Sequence, residues 1–280
     1  MRLTMRPVTL SRVVETAYFA KKTSEFTSQE LAEFLTSSAS RAKEIAEETV
    51  NIGLIKKKHE GYYPSSQCTY FLENVRLNNW PAIHMLMMNY SFYQTFYSVL
   101  QSIEPAISEE ILAALSSSTI PFNEASRQVL CDWGERIGSI QRNIFTNQYF
   151  TVGELSAPLI PAFLDSYQSL NIKTGLSLRQ RYVEIPKIRE FVCQNLRISR
   201  DTFDSCFIQL CMKNIGKIEL AGAPVTTHAK RSANKVKNVH FLELPDKITM
   251  KLSSNQYLNG LKVGPKLYYY VAYHGGELID

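Results

Sequence analysis

Three groups of side chains in this chain have types and spacings that bear on chemistry. The first is "KKKH" at Lys56–His59, followed closely by Tyr62 and Tyr63. Lysines that neutralise phosphates release condensed counterions, and adjacent aromatic rings stack or pack, so the group reads as a nucleic-acid contact. The same residues also suit a solvated edge strand that lysines protect from aggregation. The second is "APVTTHAKRSANKVKN", where Lys230, Arg231, Lys235 and Lys237 stand without an acid among Ala, Ser, Thr and Asn. Such a composition cannot bury itself, and it suits an arm that follows a groove or a single strand, or a plain basic loop. The third comprises Arg41 and Lys43, and Ser126, Arg127 and Gln128, each set near the start of an amphipathic segment. Base and phosphate contacts are made from such positions, where Arg and Lys are also routine helix formers.

Groups that would support catalysis or bind a metal do not assemble. "GLKVGPK" at Gly260–Lys266 lacks the G-x-x-x-x-G-K-[ST] spacing of a phosphate cradle. His59, His84, His228, His240 and His274 are scattered, with no pair at ligand spacing to a cysteine or carboxylate. Cys206 and Cys211 are five apart, off the helical i, i+4 spacing, so Cys211 reads as core packing. "HGGE" at His274–Glu277 reads as a tail after the last strand. No Ser/His/Asp order suggests itself. The expectation is a protein that is not an enzyme and takes no metal or cofactor.

Composition sets the frame for these groups. The 280 residues, 45% hydrophobic and 20% charged, match a globular protein able to bury a core. A net charge of +5 admits nucleic acid as a partner without requiring it. Five cysteines without a C-x-x-C pair favour a reduced setting over a disulfide framework. "MRLTMRPVTLSRVVETAYF" has no apolar core of signal-peptide length, so a cytoplasmic location is expected. From Leu77 to Ile103 there is no formal charge, but Asn78, Asn79, His84, Asn89, Gln94 and Gln101 interrupt the apolar residues. A membrane span is therefore rejected in favour of one long helix over 81–103, with its aromatics packed against protein, including a possible homodimer or protein partner.

The elements that must position these residues are announced by a repeated phrase: "NIGLI" at Asn51–Ile55, "RIGSI" at Arg136–Ile140 and "NIGKI" at Asn214–Ile218. An amphipathic segment runs into each and an apolar or aromatic run follows. The spacing suits three small domains better than a solenoid. Before the first phrase, Leu10, Val13, Val14 and Ala17 share one helical face, Thr27 or Ser28 caps a short helix carrying Leu31, Phe34 and Leu35, and Ile45, Ala46, Thr49 and Val50 line a third. Gly53 suits the left-handed residue that ends a helix. After it, "LIKKKHEGYYPSSQCTYFLE" reads as a strand, a Gly/Pro/Ser turn and an aromatic strand.

Around the second phrase, the 81–103 helix and "SEEILAALSSS" precede a helix capped by Asn123, with Ala125, Val129, Trp133 and Ile137 at helical spacing. A hairpin containing Arg142 then turns at Thr146–Asn147. Around the third, "PLIPAFLDSYQSL" is a helix, "YVEI" a strand, "PKIREFVCQNL" a helix opened by Pro186, and Ser199 caps a helix with Phe203, Phe207, Leu210 and Cys211 inside. "KIELAG", "VHFLEL", "ITMKL" and "KLYYYVAY" are its strands.

Helix, short helix, helix and hairpin, with "Gly-Leu-Ile" joining the last helix to a charged strand, resembles the winged-helix superfamily. That resemblance implies a mainly α fold with small β-hairpins: winged helices over 1–76 and 77–153, and a third over 154–280 with an enlarged β wing and the basic insertion 223–238. It also implies a third helix in the major groove and a hairpin along the backbone. The enlarged third module resembles C-terminal regions of accessory proteins from prokaryotic DNA-handling or anti-phage cassettes. Two functions follow. One is a DNA-binding protein, with double-stranded DNA favoured, acting as a regulator or as a subunit of a larger DNA-handling or antiviral defence complex. The other is a scaffold whose winged helices bind proteins. Glu44, Glu47, Glu48, Asp201 and Asp204 on the third helices favour the scaffold, although acids early in a helix also answer the macrodipole.

Overall fold

The structure is a computed structural model that describes residues 4–59, 61–173, 182–222, 237–240, 249–252 and 258–279. The chain is mainly helical, 56% helix, with small antiparallel sheets. In order, the elements begin with α1 (Leu10–Thr23), α2 (Ser28–Phe34), α3 (Ala39–Ile52), β1 (Ile55–Lys58), β2 (Gly61–Pro64), α4 (Ser66–Arg76) and α5 (Trp80–Met87). Next come α6 (Ser91–Ile103), α7 (Ser108–Leu115), α8 (Glu124–Ile137), β3 (Ile140–Arg142), β4 (Tyr149–Thr151), α9 (Leu159–Lys173) and β5 (Tyr182–Glu184). The remainder are α10 (Ile185–Leu196), α11 (Arg200–Lys213), β6 (Ile218–Gly222), β7 (Lys237–His240), β8 (Thr249–Leu252), β9 (Leu261–Val263) and β10 (Lys266–Tyr273). The chain divides into two compact units, Met1–Gln141 with Lys237–Leu252, and Arg142–Val236 with Ser253–Asp280.

In the first unit the caps expected from sequence form. Thr27 accepts from the Glu30 amide while Glu30 reaches back, closing a capping box, and Ser38 opens α3 by accepting from Arg41 N. Gly53 and Gly138 end α3 and α8 at φ of 92° and 79°, which a side chain would oppose. Leu10, Val13, Val14, Ala17, Leu31, Leu35, Ile45 and Ala46 are buried together. Phe26, between α1 and α2, exchanges backbone hydrogen bonds with Tyr62 of β2, and β2 pairs antiparallel with β1. The local sheet order is therefore Phe26, β2, β1.

Several expectations are corrected here. The first hairpin is Ile55–Lys58 against Gly61–Pro64, with its turn at His59 rather than at the Gly/Pro/Ser run. "SQCTYFLENVR" is helix α4, capped by Ser65, with Cys68, Phe71, Leu72 and Val75 buried at helical spacing. A short apolar run cannot separate strand from helix by itself. The single helix over 81–103 is instead α5 and α6, broken where Tyr90 adopts an extended φ of −89° and ψ of 114°. The break turns the Tyr90 ring inward, where its hydroxyl donates to buried Glu48 and its centroid lies 6.2 Å from that of Trp133. Ala125 is exposed, and the inner face of α8 runs through Leu130, Trp133 and Ile137.

The second unit has its own core: Phe163, Ile188, Val192, Phe203, Phe207, Leu261 and Val271 are buried in one cluster. Ser199 caps α11 as expected, accepting from Thr202 N. Strand β10 runs between β5 and β6, antiparallel to both, and its start also pairs with β9. "GLKVGPK" is thus the β9–β10 hairpin. Gly264 makes its turn at φ of 57°, and a Cβ on Gly260 would lie 2.1 Å from Tyr268 O. Both glycines answer backbone geometry.

Candidate nucleic-acid interface

The first hairpin presents its lysines to solvent. Along β1 Ile55 is buried while Lys56, Lys57 and Lys58 are exposed. In register, Lys56 lies opposite Tyr63, Lys57 opposite Tyr62 and Lys58 opposite Gly61. Strand alternation therefore sends Lys56 and Lys58 to one face and Lys57 to the other. Lys57 Nζ is 3.7 Å from Glu47 of α3 and 5.8 Å from the Tyr62 ring centroid. Among the described residues no carboxylate pairs with Lys56 or Lys58. On their face the Tyr63 hydroxyl donates to Glu25, which raises the phenol pKa above its ordinary value. Sequence reading missed this pair, and also Lys21 and Lys22, exposed in the last turn of α1, although "AKKTSEF" carried the signal.

The helix residues singled out from sequence are placed differently. Arg41 is half-buried, donating to Glu44 Oε2 at 2.8 Å and to Pro7 O at 2.7 Å, while Lys43 is exposed. The segment before α1 lies along α3: Arg6 N donates to Glu48 Oε2 at 3.2 Å and the Arg6 guanidinium pairs with Glu47. Ser126 is buried and completes the Asn123 capping box. Arg127 is only 5% exposed; its guanidinium holds Glu124 and donates to Ser108 Oγ at 3.1 Å. Of that trio only Gln128 is exposed. The outer residues of α8 are Glu124 and Gln128, with half-buried Asp132 and Glu135 beside them, and Arg136 pairs with Asp132 at 2.7 Å.

Arg142 is half-buried, its guanidinium 5.9 Å from the Tyr149 ring centroid and its carbonyl accepting from Arg200 at 2.7 Å. The loop after it is held by α10. Asn143 Nδ2 donates to Gln194 Oε1 at 2.8 Å, Ile144 N donates to Glu190 Oε2 at 3.1 Å, and Gln194 Nε2 donates to Gln148 Oε1 at 3.0 Å. This loop, turning through Asn147 at φ of 59°, is occupied by protein contacts where the first hairpin is open. Lys230, Arg231 and Lys235 lie outside the described residues. Lys237 begins β7, antiparallel to β8.

Among the described residues no group of three His, Cys, Asp or Glu could hold a metal ion. His274 Nε2 lies 2.8 Å from Glu219 Oε2, and Tyr182 donates to the other oxygen at 2.8 Å, which depresses the Glu219 pKa. None of the five cysteines forms a disulfide; burial pushes Cys68 up to about 11 and Cys211 up to about 12, so neither is a ready nucleophile. Among the described residues no helix is long and apolar enough to cross a membrane. No protein-family model, curated protein or solved structure matches this chain.

Proposed function

We propose that the protein binds nucleic acid without catalysing a reaction, through winged-helix modules arranged in tandem, with duplex DNA the favoured ligand. The carrying observation is the exposed row Lys56–Lys58 on the hairpin that follows α3, with Lys56 and Lys58 unneutralised by any described carboxylate. Two strand orders support the modules. In the first, a segment after the first helix pairs with the hairpin's returning strand: Phe26, β2, β1. In the last, β5 follows α9 and pairs with returning β10, which pairs with β6. In each the last strand is central, the order that the winged-helix reading expects.

The contact differs from the one expected of a recognition helix. Arg127 is turned inward and α8 presents acids, so affinity rests on phosphate contacts from the first wing, with the 223–238 insertion as a second source. The protein then acts as a regulator or as the DNA-engaging subunit of a larger assembly. Fluorescence anisotropy of labelled duplex and single-stranded DNA, titrated with salt, tests this. Binding that weakens steeply with salt, and weakens further when Lys56 and Lys58 become Ala, supports it. No binding even at low salt rejects it.

One observation favours a protein scaffold as a second reading: the outer side of α8 carries Glu124, Gln128, Asp132 and Glu135, a surface suited to a basic protein partner and opposed to phosphates.

A further inference from the structure

We propose that the outer face of the first hairpin holds an unpaired stretch of nucleic acid, its phosphates on Lys56 and Lys58 and one base stacked on Tyr63. A duplex with a single-stranded extension then binds more tightly than a blunt one. The proposal rests on the nucleic-acid reading above and refines its ligand. The two tyrosines of β2 face opposite ways. Tyr62 is 2% exposed and stacks on Phe26, with ring centroids 5.4 Å apart and planes inclined by 24°. Tyr63 lies on the side of Lys56, Lys58 and Gly61. Its hydroxyl donates to Glu25, and a Cβ on Gly61 would meet Tyr63 Cε2 at 3.2 Å. The glycine thus lets the ring lie along the strand, where the bond to Glu25 holds it half-exposed. A ring fixed in advance loses little freedom when a base stacks on it.

Charge is graded across this face. At one edge are exposed Lys56 and Lys58, two residues and so about 6.7 Å apart along β1. Tyr63 stands in the middle row, directly opposite Lys56. At the other edge are exposed Glu25 and Thr27, the neighbours of Phe26, with Glu30 bonded to Thr27. Glu60 lies outside the described residues. Phosphates are drawn to the lysine edge and repelled from the acid edge, so a strand lying along β1 turns its bases toward Tyr63. Bases stacked within a duplex offer no free face to such a ring, whereas an unpaired base does.

Fluorescence anisotropy with the full chain compares a blunt DNA duplex with the same duplex carrying an unpaired thymine extension. The expected result is about fivefold or more tighter binding of the extended probe, the lower end of what stacking one base contributes. Tyr63→Leu should abolish that preference and leave blunt-duplex affinity, the control for folding, unchanged. Tyr63→Phe, which keeps the ring, should retain the preference. With the unaltered protein, irradiation of a probe carrying 5-iodouracil in the extension should give a cross-link to Tyr63, identified by mass spectrometry. Equal affinity for the two probes, a preference that survives Tyr63→Leu, or a cross-link confined to other residues overturns the proposal. If the blunt duplex still binds through Lys56 and Lys58 in those cases, the nucleic-acid reading stands. No binding of either probe overturns both.

Discussion

The Tyr90 hydroxyl donates to Oε1 of Glu48, a carboxylate with no exposed surface, and so ties the break between α5 and α6 to the inner side of α3. The other carboxylate oxygen accepts from Arg6 N and from Asn51 Nδ2, at 3.2 and 3.3 Å. Trp133 completes the junction by donating Nε1–H to Val8 O at 3.0 Å. Two halves of the first unit and the segment before α1 therefore meet at one carboxyl group.

That group should make stability depend on pH. Burial is the leading influence on Glu48 and raises its pKa above the ordinary 4.5, outweighing the hydrogen bonds from Tyr90 and Arg6. The folded state therefore holds the proton more tightly than the unfolded chain. Its contribution is complete below 4.5 and is lost as pH rises through the folded value. Glu15 and Asp204 are raised by burial too, so the wild-type slope is shared. Glu48→Gln should flatten the fall in stability above pH 4.5 relative to wild type. Glu48→Ala, which strips partners from Tyr90 and Arg6, should cost about 2 to 4 kcal/mol. Urea melts across pH check both.

Gly134 should be intolerant of even one methyl group. A Cβ there would lie 2.4 Å from Ile140 Cδ1, with Ile140 Cγ1 and Cβ also under 3 Å, because α8 packs directly on β3. Gly134→Ala should destabilise by about 1 to 3 kcal/mol, the range for overpacking a core, despite Ala's better helix propensity. An unchanged melting temperature would show that the helix shifts freely.

Arg127 and the lysines of the first hairpin should separate cleanly in a binding assay. Arg127→Ala removes the contacts to Glu124 and Ser108 and should lower stability by about 1 to 2 kcal/mol while leaving DNA affinity unchanged. The double change Lys56→Ala and Lys58→Ala should leave melting unchanged and reduce the slope of log affinity against log salt by about 2. Reversal of these outcomes would restore α8 as the contact.

The loop after Arg142 should depend on α10. Gln194→Ala removes the partners of Asn143 and Gln148, and should destabilise the second unit by about 1 to 3 kcal/mol. Hydrogen exchange at the Asn147 amide, bonded to Asn143 O at 2.8 Å, should speed up in the same variant.

Local rules carried much of this protein. Thr27, Asn123 and Ser199 cap the helices they precede, and Gly53 and Gly138 end α3 and α8, because cap and left-handed preferences act within a few residues. The buried stripe of α1 and the solvent exposure of Lys56–Lys58 follow equally from period and composition. Tertiary structure decided what periodicity leaves open. α4 could be a strand until Cys68, Phe71 and Val75 found a core, and one apolar stretch became α5 and α6 because Tyr90 turned toward Glu48. The direction of an arginine is set jointly by a local pair and by a partner distant in the chain. Arg127 begins a helix as a DNA contact would, but Ser108, nineteen residues earlier, and Glu124 take up its donors and leave the first hairpin as an open cationic surface among the described residues.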